Sequence, residues 1–300
     1  MRRAGRAPYV FGIRPAVRAH PALAPPALGL PLLGALLLAT AGAGRAQPAE
    51  IHTEHVLYGL PTGTPPTNDL VIRDAYALSH NDSTRFADWV AFRLTAAEVA
   101  GTLPLARAWR ADEWLGPDER IETADYAGAF AVHGYQRGHL APLASFSGSL
   151  GAGDLNVLSN VVPQRQALNE GPWQRLEAAE RVLVLRRAEL TRAPVWVVVG
   201  TLYERAMPPL PEAHEPHVVP SGFWRVVAVE DGPGRAVAVA FLLDQDTPRD
   251  ADVLDALVTV DEVERRRGLD LFPLLPLDGQ AALEGRADRA EAAALLNLDD

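Results

Sequence analysis

Between residues 134 and 181 the chain gathers side chains that could do hydrolytic chemistry. Arg137 and His139 stand in "GYQRGHLAP" (134–142), Asn160 in "SNVVPQ" (159–164), and Asn169, Glu177 and Arg181 follow. An imidazole with an ordinary titration is largely neutral at pH 7 and can take a proton as a general base. Arginine near it suits the doubled negative charge of a phosphodiester transition state. The Asn169 amide oxygen and the Glu177 carboxylate fall near one predicted helix start. Such a pair suits a hard cation such as Mg²⁺, which keeps most of its waters and takes few protein ligands. Taken singly these residues have plainer readings: His139 as a core histidine, and Arg181 as a helix-surface ion-pair partner of Glu177, four positions earlier.

The helix that must carry Glu177 and Arg181 is predicted from Pro172 to about Glu189, with proline at its first position, where a missing N–H is harmless. Strands are predicted at 88–95, 195–203, 223–230 and 236–244. These runs are rich in β-branched residues or alternate in strand fashion, and the last two are joined by the hairpin signal "DGPGR". A turn or short helix follows the first strand at "AAEVAGTL", and "VDEVERRRGLD" (260–270) predicts a helix that stops at Gly268. Strands with interspersed helices over 55–280 predict one α+β domain with a central, mostly antiparallel sheet. His139 should lie on or beside a strand or loop facing the Pro172 helix.

The first 49 residues carry six arginines and no acid, and "ALGLPLLGALLLATAGA" (27–43) follows the first five. A positive start, an apolar middle and small residues at 41–46 make residues 1–46 read as a secretory signal. The chain is then secreted or periplasmic; an N-terminal membrane anchor or a mitochondrial presequence are the alternatives. The apolar stretch is short for a membrane span and Pro31 breaks it, so no stable membrane association is expected. The working domain is read as 47–280, and 281–300 as an acidic, alanine-rich tail that forms a terminal helix or frays.

All 28 basic residues are arginine. Without the six in the leader, 22 face 38 acids, a net charge of −16. Global charge therefore does not draw this chain to polyanions, and a nucleic-acid substrate would need arginines concentrated at one cleft. The absence of cysteine excludes disulfides, zinc–thiolate sites and thiol chemistry. "HEPH" (214–217) offers two histidines without a third ligand, and "SFSGSLGAG" (145–153) does not form a nucleophile elbow.

"GYQRGHLAP", "LSNVVPQ" and "LNEGPWQRLE" at this spacing resemble the signature of the DNA/RNA non-specific endonucleases, the ββα-metal or His-Me finger nucleases. The resemblance extends over roughly residues 56–276, through "WVAFRLT", "ARAWRADEW", "VVVGTLY" and "VPSGFWRVV". It implies a ββα-metal active site and Mg²⁺-dependent hydrolysis of DNA and RNA without sequence preference, with Mn²⁺ as a substitute cation; a homodimer is compatible with it. His139 is then the general base, Asn169 the direct metal ligand and Glu177 a carboxylate holding water around the cation. Arg137 and Arg181 contact phosphate, Asn160 supports the histidine loop and Arg107 is a further substrate contact.

The family usually has aspartate where this chain has Gln136. That leaves two other readings open: a weak or silent nucleic-acid-binding protein, and a phosphodiesterase for another substrate. An aspartate there would favour a more basic imidazole, so Gln136→Asp is expected to raise turnover by about tenfold.

Overall fold

The computed structural model describes residues 51–232 and 235–298. The predicted leader 1–46 lies outside the described residues. Nine strands are present among the described residues: β1 (Asp69–Ile72), β2 (Ala77–Asn81), β3 (Phe86–Leu94), β4 (Tyr135–His139), β5 (Val161–Arg165), β6 (Val195–Leu202), β7 (Gly222–Glu230), β8 (Ala236–Asp244) and β9 (Leu257–Val258). The helices are α1 (Ala96–Val99), α2 (Ala129–His133), α3 (Gln166–Leu168), α4 (Gln174–Leu190), α5 (Val260–Arg267), α6 (Leu277–Glu284) and α7 (Arg289–Leu296).

Seven strands form one sheet in the order β1-β2-β3-β6-β7-β8-β9, every neighbouring pair antiparallel. The predicted strands all lie in it as β3, β6, β7 and β8. Alternation along β6–β8 sends Val195, Val197, Val199, Phe223, Val227, Val239 and Phe241 to one face. Val198, Leu202, Trp224, Val226, Ala238 and Ala240 go to the other. Both faces are covered, which is why these strands read as apolar runs rather than half-polar ones. The α+β expectation with a mostly antiparallel sheet holds.

On the first face sits α4, whose buried residues Leu176, Ala179, Glu180, Leu183 and Val184 recur at helical spacing. Beside it is the separate hairpin of β4 and β5, which pairs Tyr135 with Arg165 and His139 with Val161. Hairpin and helix together are a ββα unit. On the opposite face lie α5, α6 and the lead-in at Val56–Tyr58. Thr259 caps α5 by accepting from the Glu262 N–H at 3.1 Å, and Gly268, at φ 68°, ends it where the sequence placed its stop.

One expectation needs correction. Pro172 does not open the long helix: Asn169–Trp173 is a wide turn kinked at Gly171 (φ −113°, ψ −115°), and α4 starts at Gln174. A Cβ at Gly171 would lie 2.5 Å from the Arg249 carbonyl oxygen, so the tight approach of another segment forces the kink. The tail at 281–300, read as a terminal helix or a frayed end, forms the helix α7 in its described part, which buries Ala292 and Leu296 in the core beneath α4.

Candidate active site

One cleft of about 420 Å³ is lined by Arg107, Arg137, His139, Asn169, Glu177 and Arg181, together with Trp109, Tyr126, Phe130, Gln136 and Glu170. Six of the seven residues singled out in the sequence therefore meet. Asn160 does not line the cleft. It is fully buried, accepts from the Ala141 N–H at 2.8 Å and donates to the Ala141 and Leu155 carbonyls at 3.0 Å. It pins the loop that leaves His139.

His139 is the last residue of β4. The backbone before it is held by packing: a Cβ at Gly138 would fall 1.9 Å from Gln164 Oε1, a fully buried side chain. That contact, and not loop flexibility, explains the glycine ahead of the histidine. Behind it, Trp173 Nε1 donates to the His139 carbonyl at 3.2 Å, tying the end of the strand to the turn before α4. The ring lies on Trp109, centroids 4.9 Å apart.

The tautomer follows from donor logic. Asn156 Nδ2 donates to the Ala106 carbonyl at 2.8 Å, so Asn156 Oδ1, 3.2 Å from His139 Nε2, is an acceptor. Nε2 therefore carries the proton and Nδ1 is the basic nitrogen. Burial, chiefly, and the Arg107 charge pull His139 down to about 4, against the Asn156 hydrogen bond. The imidazole is thus neutral across the physiological range.

Asn169 is oriented by a chain of hydrogen bonds. Glu170, which can only accept, takes a hydrogen bond from Gln136 Nε2 at 2.5 Å. Gln136 Oε1 therefore faces Asn169 and accepts from its Nδ2 at 2.7 Å. Among the described residues no donor reaches Asn169 Oδ1, so the amide oxygen is left to the cleft. Gln166 and Arg249 hold Glu170 in turn, the latter at 2.9 Å. Hydrogen bonds from Gln136 and then Gln166 keep the Glu170 carboxyl below its ordinary range.

Glu177 enters the cleft from the first turn of α4. Burial first, and the neighbouring Glu180 carboxylate, push it up to about 7, with Arg225 and Arg181 opposing. Below it, Glu180 and Arg225 form a fully buried pair at 2.5 Å, and the Arg225 guanidinium lies 4.6 Å from the Trp173 ring. This pair clamps α4 to β7. The donor set, a free amide oxygen beside a carboxylate wanting a positive neighbour, fits a hard divalent cation.

Arginines surround these groups. Arg137 donates to the Thr123 carbonyl at 3.0 Å and stacks 4.8 Å over Tyr126. Arg181 reaches the Ser145 hydroxyl at 3.3 Å, and its charge is felt by Glu177 without an ion pair of the kind a surface helix would make. Arg107 is exposed at the rim. Arg110, by contrast, is a structural residue bound to Asp154 at 2.5 Å and to the Gly153 carbonyl. Asn156, Gln136, Glu170 and Trp109 were not singled out as a set by sequence reasoning, because their roles depend on partners distant in the chain.

A fold with a ββα unit on an antiparallel sheet, and a histidine, an asparagine and a glutamate in one arginine-lined cleft, defines a nuclease class. The model of the DNA/RNA non-specific endonucleases matches residues 55–278. The chain belongs to that family and is a nuclease enzyme acting as a DNA/RNA endonuclease. It is 42% identical over 228 residues to a nuclease of Serratia marcescens, covering 76% of this chain and 84% of that protein. To human mitochondrial endonuclease G it is 30% identical over 228 residues, covering 70% and 72%. A solved EndoG/EndoGI complex shares the fold, with TM-score 0.61 and 24% identity over 75% of this chain and 94% of that one.

Proposed function

We propose that this chain is an exported, Mg²⁺-dependent endonuclease that hydrolyses phosphodiester bonds of both DNA and RNA, with His139 Nδ1 as general base. The observation that carries this reading is the joint orientation of two groups. The Asn156 bond leaves Nδ1 of a neutral His139 open, and the Gln136 bond leaves Oδ1 of Asn169 open, into the same cleft.

His139 takes one proton from a water molecule, and the water oxygen forms a bond to phosphorus. The bond from phosphorus to the 3′ oxygen breaks, leaving a 5′-phosphate end; the 3′ oxygen leaves as a hydroxyl with a proton from solvent water, and His139 returns its own proton to solvent. Asn169 Oδ1, with Glu177 beside it, would hold the divalent cation, which supplies Lewis-acid stabilisation of the charge on phosphorus and the leaving oxygen. Mn²⁺ offers the same preference for oxygen donors. Arg137, Arg181 and Arg107 bring positive charge to a protein whose net charge is negative, so attraction for the phosphate backbone is local. The ring of Phe130, exposed at the cleft, gives a sequence-indifferent surface for a base to stack on.

Gln136 does not argue for a silent binder, because it aligns Asn169 rather than disabling it. The proposed export rests on the acid-free, arginine-rich leader and its apolar centre. Incubating plasmid DNA and ribosomal RNA with the protein in Mg²⁺ or in EDTA tests the reading. Both substrates should be degraded in Mg²⁺ and neither in EDTA, and His139→Ala should be slower by about 10²-fold or more. Cleavage that persists in EDTA, or that stays within about tenfold of wild type in His139→Ala, refutes it.

A further inference from the structure

On the sheet face opposite the cleft, α5 and α6 bring three carboxylates together. Asp261 and Glu264 are three residues apart and share one side of α5, and Glu284 ends α6. One oxygen from each lies within 4.8 Å of the other two. Hard cations of the Ca²⁺ type bind oxygens at about 2.3–2.6 Å, so one ion between these groups spans that separation.

The second observation is the state of Glu284. It is only 5% exposed, its Oε1 is sealed from solvent, and that oxygen has no hydrogen-bond partner among the described residues. A buried carboxylate oxygen without a donor is costly unless a positive charge or a proton meets it. Among the described residues no arginine supplies the charge. Arg265 and Arg266 turn to Glu262, Arg267 to Asp88 and Arg286 to Glu291. No ion pair among the described residues involves Asp261, Glu264 or Glu284. Glu264 accepts from the Leu271 N–H at 2.7 Å with one oxygen, and its other oxygen has no hydrogen-bond partner among the described residues. Asp270 adds a further negative charge felt by both glutamates.

We infer that Asp261, Glu264 and Glu284 form a second divalent-cation site of the Ca²⁺ type, remote from the catalytic cleft, that fastens α6 to α5. Its role is structural: α6 buries Leu283 against the sheet through only a short helix, and the ion would cross-link its last residue to α5. The competing occupant is a proton shared among the carboxyls, and the test must separate the two.

Full-length Asn169→Ala protein removes the catalytic cation from the measurement. Isothermal titration with CaCl₂ at pH 7.5 should then show one site, saturating at about 10⁻⁴–10⁻³ M, as for extracellular calcium modules. The thermal midpoint should rise over the same range. Adding Glu284→Gln or Asp261→Asn should abolish both signals. Asp261→Asn alone should cleave plasmid in Mg²⁺ at the wild-type rate, since it lies across the sheet from the cleft. No Ca²⁺ binding in Asn169→Ala protein, or binding unchanged by Glu284→Gln, overturns the site. A Glu284→Gln protein that gains stability while wild type shows no response to Ca²⁺ assigns the cluster to a shared proton and overturns it as well.

Discussion

Gln136→Asp is the substitution for which the resemblance and the geometry give opposite answers. From the sequence, an aspartate beside His139 should strengthen the base and raise turnover. In the structure Gln136 works on the metal side of the cleft: its oxygen accepts from Asn169 Nδ2 at 2.7 Å and its nitrogen donates to Glu170 at 2.5 Å. Aspartate keeps an acceptor, one methylene shorter, and replaces the donor with a negative charge facing the Glu170 carboxylate. A hydrogen bond to a charged group contributes about 1.5–3 kcal/mol. The Glu170 side chain is 33% exposed, so solvent screening holds the loss to the low end of that range. The penalty falls on holding the Asn169 amide in its productive orientation. The Mg²⁺ concentration for half-maximal plasmid cleavage should therefore rise by about tenfold, with the maximal rate at saturating Mg²⁺ little changed. Adding Glu170→Gln restores a donor to the new acceptor and should recover most of the loss, giving a double-mutant cycle with clear coupling. An unchanged or lower Mg²⁺ requirement in Gln136→Asp, or additive effects in the pair, would refute the relay.

Further outcomes follow from the same geometry. His139 is held down near 4 by burial and Arg107. The acid limb of activity should therefore lie well below the ordinary 6.5, and Arg107→Gln should move it upward in a pH–rate profile. The sign for stability is fixed too: above pH 6.5 the group is neutral folded or unfolded, and between 6.5 and 4 only the unfolded chain takes the proton. Its contribution is thus lost as pH falls through that window, and His139→Gln should flatten that part of a urea-midpoint series. Asn156→Ala removes the bond that selects the tautomer, and kcat should drop by about tenfold while the Mg²⁺ requirement stays put, as steady-state kinetics would show. Glu180→Ala strands Arg225 in the core and should cost about 3–5 kcal/mol in urea unfolding.

The four long strands were legible because three carry sustained apolar runs rich in valine and β3 alternates in strand fashion, and α5 was legible from the glycine that stops it. The hairpin that carries His139 was not. β5 contains Pro163 and two polar residues, and β4 reads as a turn because Gly138 interrupts it, yet Gly138 is there to admit Gln164. The start of α4 was misplaced because Pro172 looks like a first helical residue, whereas the approach of the Arg249 backbone to Gly171 decides the kink. Spacing brought out His139, Asn169, Glu177 and the arginines, but not what orients them. Asn156 looks like any loop asparagine until Ala106, far earlier in the chain, takes its N–H. Gln136 looked like a defect until Glu170, on the turn before α4, showed where its amide points.

Chemical rescue of His139→Ala tests the central claim most directly, because it separates a base from a merely structural ring. The substitution removes an imidazole packed on Trp109 and leaves room for a free one. Plasmid cleavage at saturating Mg²⁺ should fall by about 10²–10⁴-fold. Added imidazole should restore part of it, with a pH dependence that follows the neutral form of the added base. A variant that cleaves within about tenfold of wild type, or a rescue that is independent of imidazole protonation, would contradict His139 as the proton acceptor.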